Sequence, residues 1–398
     1  MKVFDSLKNI STTGGLFNIL REVDLGAVQL EAEQRFSLLI LGDYALTQPV
    51  AETLCVAKGE ERSGYVHPWL TQAPFDADDS DADLALLLVA APAESTELSA
   101  GSTELSKPSK TYTAPTLGET ATRALANLAR RGVPTVVVFI GAPSAEEEVP
   151  HKDEAARVRL GMPSAPTWRN EVEAVLVPAV LGALPSKYHL SFARHLPRFR
   201  DAVMRALIDE TSRANAVYAT STGLAQVVPV LNIPISAADM VVLTKNQLIM
   251  AYKIALVAGK KGQPQEVMGE LIGVLGGGFL FRQVARQLIG LVPVWGIVPK
   301  VAVSYAGTWA IGQSVQLWAT RGKVPDQEDL RGFYDAALSR GRAFAKRLTN
   351  RDEAVEDGTA EGELEAPDEK RWRLHLPSFR RTSPKVSPEL PPPEEDEF

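Results

Sequence analysis

Residues Phe36 to Leu41 read FSLLIL, and the eight that follow read Gly42-Asp43-Tyr44-Ala45-Leu46-Thr47-Gln48-Pro49. A short, unbroken apolar run ending at glycine is the pattern of a strand buried on both faces. Further runs repeat it. Leu84 to Ala90 reads LALLLVA and Val133 to Ile140 reads VPTVVVFI, while Glu171 to Pro178, EVEAVLVP, suggests a fourth strand. Helical stretches alternate with them. Val50 to Lys58 is closed by Gly59, and a helix entered through the capping pattern Thr116-Leu117-Gly118-Glu119 carries Leu125, Leu128 and Ala129 as far as Gly132. Apolar strands separated by helices predict a parallel α/β sheet over residues 36–190. Ala93 to Pro115, rich in Ser and Thr with STELS occurring twice, reads as a surface insertion.

The rest of the 398 residues is organised differently. Residues 1–35 predict an amphipathic helix through Leu16, Phe17, Leu20, Val23 and Ala27. Residues 191–348 read as helical and strongly apolar. No charge occurs between Arg213 and Asp239, a run of 25 residues, and Val301 to Thr320 adds another 20. Spanning helices need about 20 apolar residues, so both runs reach that length. Yet Asn215, Gln226, Pro229, Asn232 and Pro234 interrupt the first. Lys245, Lys253, Lys260, Lys261, Arg321 and Lys323 flank the apolar parts and suit a headgroup interface. Gly269, Gly273 and Gly277 make a small-residue stripe that would let helices approach closely. Residues 349–398 hold seven of the 27 prolines and predict a disordered acidic tail. From Arg351 onward there are 14 acidic and 7 basic residues, which accounts for the whole net charge of −7. The neutral body offers no electrostatic footprint for nucleic acid. A single cysteine, Cys55, excludes an internal disulfide framework and a Cys-rich zinc site.

A strand, a glycine and a turn into a helix is where a phosphate-binding loop, G-x-x-x-x-G-K-[ST], would lie. Gly42 fills its first position, but Thr47, Gln48 and Pro49 replace the second glycine, the lysine and the hydroxyl residue. Those three supply backbone amides, a cation and a magnesium ligand. Asp43 adds negative charge beside any incoming phosphate. Between Gly59 and Asp83 no aspartate has a glycine three places on, and Ile140-Gly141-Ala142-Pro143 offers nothing to pair a guanine base. No H-E-x-x-H or G-x-S-x-G occurs, and the five histidines lack metal-ligand spacing, so exposed or capping roles are expected of them. The residues imply no cofactor and no metal. Ala258-Gly259-Lys260-Lys261 reads as a helix C-terminus.

The order of elements over 36–190 resembles an Era-type, translation-factor-related GTPase domain with degenerate motifs. Residues 228–262, VPVLNIPISAADMVVLTKNQLIMAYKIALVAGKKG, resemble the YcjF-like domain of unknown function found behind such GTPases. The matching positions are Pro234, Asp239, Gln247 and Met250, then Gly276, Gly277 and Gly278, then Thr308, Ile311 and Gly312. The resemblance implies a bacterial protein on the cytoplasmic side of the cell membrane, with a protein partner, an active GTPase among the candidates. Asp239 and Gln247, eight residues apart, share a helix face and could fix packing by hydrogen bonds. The expectation is a non-catalytic interaction or regulatory protein on a pseudo-GTPase scaffold. Two other readings stay open: a protein that still holds a nucleotide or anion weakly at Gly42, and a soluble homo-oligomeric helical scaffold.

Overall fold

A computed structural model describes residues 23–60, 64–77, 81–91, 117–141, 155–224, 237–275 and 297–356. The expected insertion, most of the N-terminal stripe, Pro234, Gly276 to Gly278 and residues 357–398 lie outside them. The chain enters through α1 (Leu25–Glu33), which Asp24 caps by accepting from the Ala27 amide. Its buried face is Leu25, Val28 and Ala32; Ala27 points outward.

Five strands follow: β1 (Leu38–Leu41), β2 (Leu70–Ala73), β3 (Leu84–Ala90), β4 (Thr135–Ile140) and β5 (Ala156–Leu160). They pair in parallel in the order β2-β1-β3-β4-β5. Side chains alternate across the sheet. Leu38, Ile40, Leu86, Leu88, Val136 and Val138 enter one apolar cluster, and Leu39, Leu41, Leu87, Val137 and Phe139 enter another. The second is covered by α3 (Glu119–Arg130) through Ala121, Ala124 and Leu128. The first is covered by α2 (Tyr44–Leu54) and by the helices that follow the sheet. Gly42 is required where β1 ends, because a Cβ there would lie 2.8 Å from the Leu88 carbonyl oxygen.

The expected strand at Glu171 to Pro178 is instead helical. Helix α4 (Trp168–Glu171), a π turn (Val172–Leu176) and α5 (Val177–Ala183) form one rod. Trp168, Val172, Leu176 and Val180 recur every four residues and are all buried. That spacing is helical, and Pro178 sits in the first turn of α5, where its missing N–H costs nothing. The sheet edge is taken by Ala156–Leu160, ARVRL, in which only Leu160 is buried. Edge strands bury little apolar surface, so β2 and β5 leave no apolar run in the sequence.

A 3-10 turn (Ser186–Tyr188), α6 (His189–His195) and a second 3-10 turn (Pro197–Phe199) lead to α7 (Arg200–Leu224), α8 (Ala237–Val257), α9 (Pro264–Leu275), α10 (Ile297–Arg321) and α11 (Gln327–Glu356). The last helix extends into the stretch expected as tail. The apolar core runs without a break across residue 190: Phe36 before β1 lies 4.3 Å from Phe192 of α6 between ring centroids, and the same cluster reaches Leu256, Ile311 and Trp318. The Arg194 guanidinium donates to the Leu256 and Lys260 carbonyls and so satisfies the end of α8. Gly259, at φ +91°, turns the chain there as expected of a helix C-terminus. Among the described residues no helix is long and apolar enough to cross a membrane. The apolar run 301–320 is spent on neighbouring helices: α10 packs along both α7 and α11.

Candidate functional site

In open parallel sheets, ligands bind beyond the carboxyl ends of the strands where the strand order reverses. Here that point lies between β1 and β3, and Gly42 stands at it. The turn does not form a cradle. Helix α2 begins at Tyr44, two residues after Gly42, so Thr47, Gln48 and Pro49 are already helical. Asp43 is the N-cap. Its carboxylate accepts from the Ala45 amide at 2.9 Å, and its carbonyl accepts from Leu46 and Thr47, both at 2.9 Å. The amide of Gly42 donates to Ala73 on β2. A helix N-terminus attracts anions through its unpaired amides and dipole. At this one, the chain's own carboxylate occupies that position.

The side chains at the remaining loop positions are also engaged. Thr47 is 1% exposed and donates from Oγ1 to Gln72 Oε1 at 2.9 Å. Gln72 Nε2 donates to Gln48 Oε1 at 2.9 Å, and Gln48 Nε2 donates to Glu52 at 2.5 Å. Pro49 sits inside the helix, and its carbonyl accepts from the Thr53 hydroxyl. The Tyr44 ring stands 68% exposed at the mouth of the turn. Substituting Asp43→Ala removes the cap and is expected to lower stability by about 1 kcal/mol, read as a shift in the urea midpoint. A change within error would show that the cap contributes nothing.

A second group of sequence-selected residues meets inside the helical unit. Thr308 Oγ1 on α10 accepts from Asn215 Nδ2 of α7 at 3.0 Å and from Gln247 Nε2 of α8 at 3.2 Å. Asn246 Nδ2 donates to Asn215 Oδ1 at 2.8 Å, and the Ser304 hydroxyl donates to the Asn215 carbonyl at 3.0 Å. Asn215 and Thr308 are essentially inaccessible. One turn beyond Thr308, Gly312 lets α7 approach so closely that a Cβ would stand 2.6 Å from Ile208 Cγ1. Ile311 and Met250 are buried in the apolar core. Gln247, Thr308 and Gly312 therefore belong to one helix junction. Asp239 lies two turns earlier on α8. Asn215, the centre of the junction, reads in the sequence only as one polar residue interrupting an apolar run. Its signal is its place in the middle of a long helix, where an unpartnered amide would be costly. Gly269 does not serve close approach, since a Cβ there would meet nothing within 4 Å.

A third group escapes the sequence. His67, which follows α2, and His195 of α6 lie 5.3 Å apart between ring centroids, both in contact with the rings of Phe36 and Trp69. His67 Nδ1 accepts from the Trp69 amide, and the His67 amide donates to Cys55 Sγ. Nε2 of His195 is buried without a hydrogen-bond partner. Burial, the neighbouring His67 and the Arg194 guanidinium push His195 down to about 4, and burial lowers His67 as well. Burial raises the Cys55 thiol. Among the described histidines, His189 has the expected capping role: its Nε2 lies 3.0 and 3.1 Å from the Leu181 and Leu184 carbonyls at the end of α5.

Because the folded values of both histidines lie below 6.5, the unfolded chain takes up protons first as pH falls. Their contribution is fully present above pH 6.5 and is lost progressively towards about 4. Thermal midpoints recorded across that window should fall, and His195→Phe should flatten the slope. An unchanged slope would mean that His195 does not titrate differently in the two states. Among the described residues no three His, Cys, Asp or Glu side chains are placed to share a metal ion. Comparison with protein-family models, with curated proteins and with solved structures gives no match for this chain.

Proposed function

We propose that this protein is a non-catalytic interaction module: a parallel α/β platform, related in plan to nucleotide-binding domains, that carries a membrane-associated helical unit. The observation that carries the reading is the closure of the β1–α2 turn. Phosphate recognition at such a turn needs free amides and a cation. Here the Asp43 carboxylate takes the amide of Ala45, the second helical residue, and Thr47 and Gln48 are bonded to Gln72. A triphosphate would have to displace a carboxylate and dismantle part of the α2–β2 contact. The sequence supports the second half of the proposal through the charge-free stretch 214–238.

Titration of the full chain with labelled GTP at physiological magnesium tests the first half. Our reading expects no micromolar binding and no turnover; saturable micromolar binding abolished by a change at Gln48 would overturn it. Carbonate-wash fractionation of the native host tests the second half. Retention in the membrane pellet or release only by alkaline wash supports association, and recovery in the soluble fraction before the wash refutes it.

A further inference from the structure

We propose that the segment 64–69, between α2 and the edge strand β2, is an acid-released latch: protonation of His67 and His195 frees it from α6 locally, ahead of global unfolding, and uncovers Phe36 and Cys55. Such a latch works whether or not the protein meets a membrane. The segment carries no helix or strand of its own, and it leads into a four-residue strand at the margin of the sheet. Parts of this kind open at lower free energy than central strands do. Stacked and edge-on rings hold it down. Between centroids, Trp69 lies 4.4 Å from His195 and 5.0 Å from Phe36, and Phe36 lies 4.3 Å from Phe192.

The cluster is built for neutral histidines. His67 Nδ1 accepts from the Trp69 amide at 3.3 Å, and an imidazolium has no lone pair left to accept with. Nε2 of His195 is buried without a partner, so an imidazolium there would bury an N–H that no acceptor meets. Two imidazolium ions 5.3 Å apart between centroids would also repel each other. Of the charges around His195, Arg194 of α6 and Arg200 of α7 oppose protonation, and Glu33 of α1 favours it. The Tyr252 phenol of α8 feels the same Arg194 and Glu33, and α2 brings Glu52 near Cys55. Once the segment has left, both rings meet water and take up protons in the ordinary histidine range, so acid favours the open form. Arg194 stays bonded to the end of α8, which keeps α6 in place. Cys55 Sγ accepts from the His67 amide, so the thiol loses its cover with the segment.

Cys55 is the single cysteine of the chain and reports the opening. The test mixes the full chain with an aromatic disulfide that labels thiols in mild acid, at concentrations where the rate scales with reagent. Each rate is divided by that of the urea-unfolded chain at the same pH. From pH 7 to pH 5 this ratio should rise about twentyfold, the factor that follows if His195 titrates near 4 when closed and near 6.5 when open. Low urea should leave the rate unchanged, because a local opening exposes little surface. His195→Phe should shrink the rise, and His67→Gln with His195→Phe should remove it. Far-UV circular dichroism confirms that each variant is folded; where one is not, the pH and urea dependence of the parent decides. A parent rise below about threefold contradicts the linkage and overturns the latch. So does a rise that the double variant keeps, which assigns the opening to other groups. A rate that climbs with urea from the first addition reports global unfolding and overturns it too.

Discussion

Glu31→Gln is expected to cost about 3 kcal/mol of folding stability, read as a shift in the urea midpoint. Lys253 of α8 is 1% exposed, and its ammonium donates to both Glu31 carboxylate oxygens at 3.0 and 3.2 Å. Removing the carboxylate's charge takes the Glu31 counter-charge away from a cation inside the protein, which is the expensive way to break such a pair. Glu31 keeps 20% of its side chain in solvent, so we place the cost at the lower end of the usual range. The pair holds α1 against α8, assisted by the Tyr252 hydroxyl at 3.4 Å from Gln29. The paired change Glu31→Leu with Lys253→Met should stay within about 2 kcal/mol of the parent, because no charge is then stranded. If Glu31→Gln costs less than about 1 kcal/mol, the ion pair does not anchor the helix.

Gly312→Val should destabilise by about 2–3 kcal/mol, and Ile208→Ala in the same chain should recover part of that loss. Added atoms at residue 312 meet the Ile208 side chain at 2.6 Å, which a smaller residue relieves. Gly341 gives the contrasting case. Its Cβ would meet the Ala302 carbonyl oxygen at 2.7 Å and Ala302 Cα at 3.0 Å, both backbone. Gly341→Ala should therefore destabilise although alanine is the better helix former, and no side-chain change opposite should rescue it. Denaturant curves for the two singles and the double with Ile208→Ala decide the matter. Additive effects of Gly312→Val and Ile208→Ala would contradict the crossing geometry. These glycines show why α7, α10 and α11 pack as they do: small residues set how closely the helices cross, and the Asn215, Gln247 and Thr308 bonds fix their register.

What the sequence made legible was what depends on near neighbours along the chain. The central strands announced themselves because burial on both faces demands unbroken apolar runs, and β3 fell on its expected bounds, Leu84 to Ala90. The loss of the phosphate-loop residues at Thr47, Gln48 and Pro49 was equally plain, as were the helix end at Gly259 and the apolar character of residues 191–348. Edge strands escaped notice because Leu70–Ala73 and Ala156–Leu160 bury one residue each. The rod from Trp168 to Ala183 misled because its apolar residues crowd together, and only the four-residue spacing of the buried ones separates helix from strand. Tertiary structure alone could decide that Asp43 turns its carboxylate onto its own helix, that Lys253 finds Glu31 more than two hundred residues away, and that His67 and His195 share an aromatic box. Periodicity and propensity act over a few residues and are written in order along the chain. Charge pairing, close helix crossing and shared burial act through space, between residues whose separation in sequence carries no record of their contact.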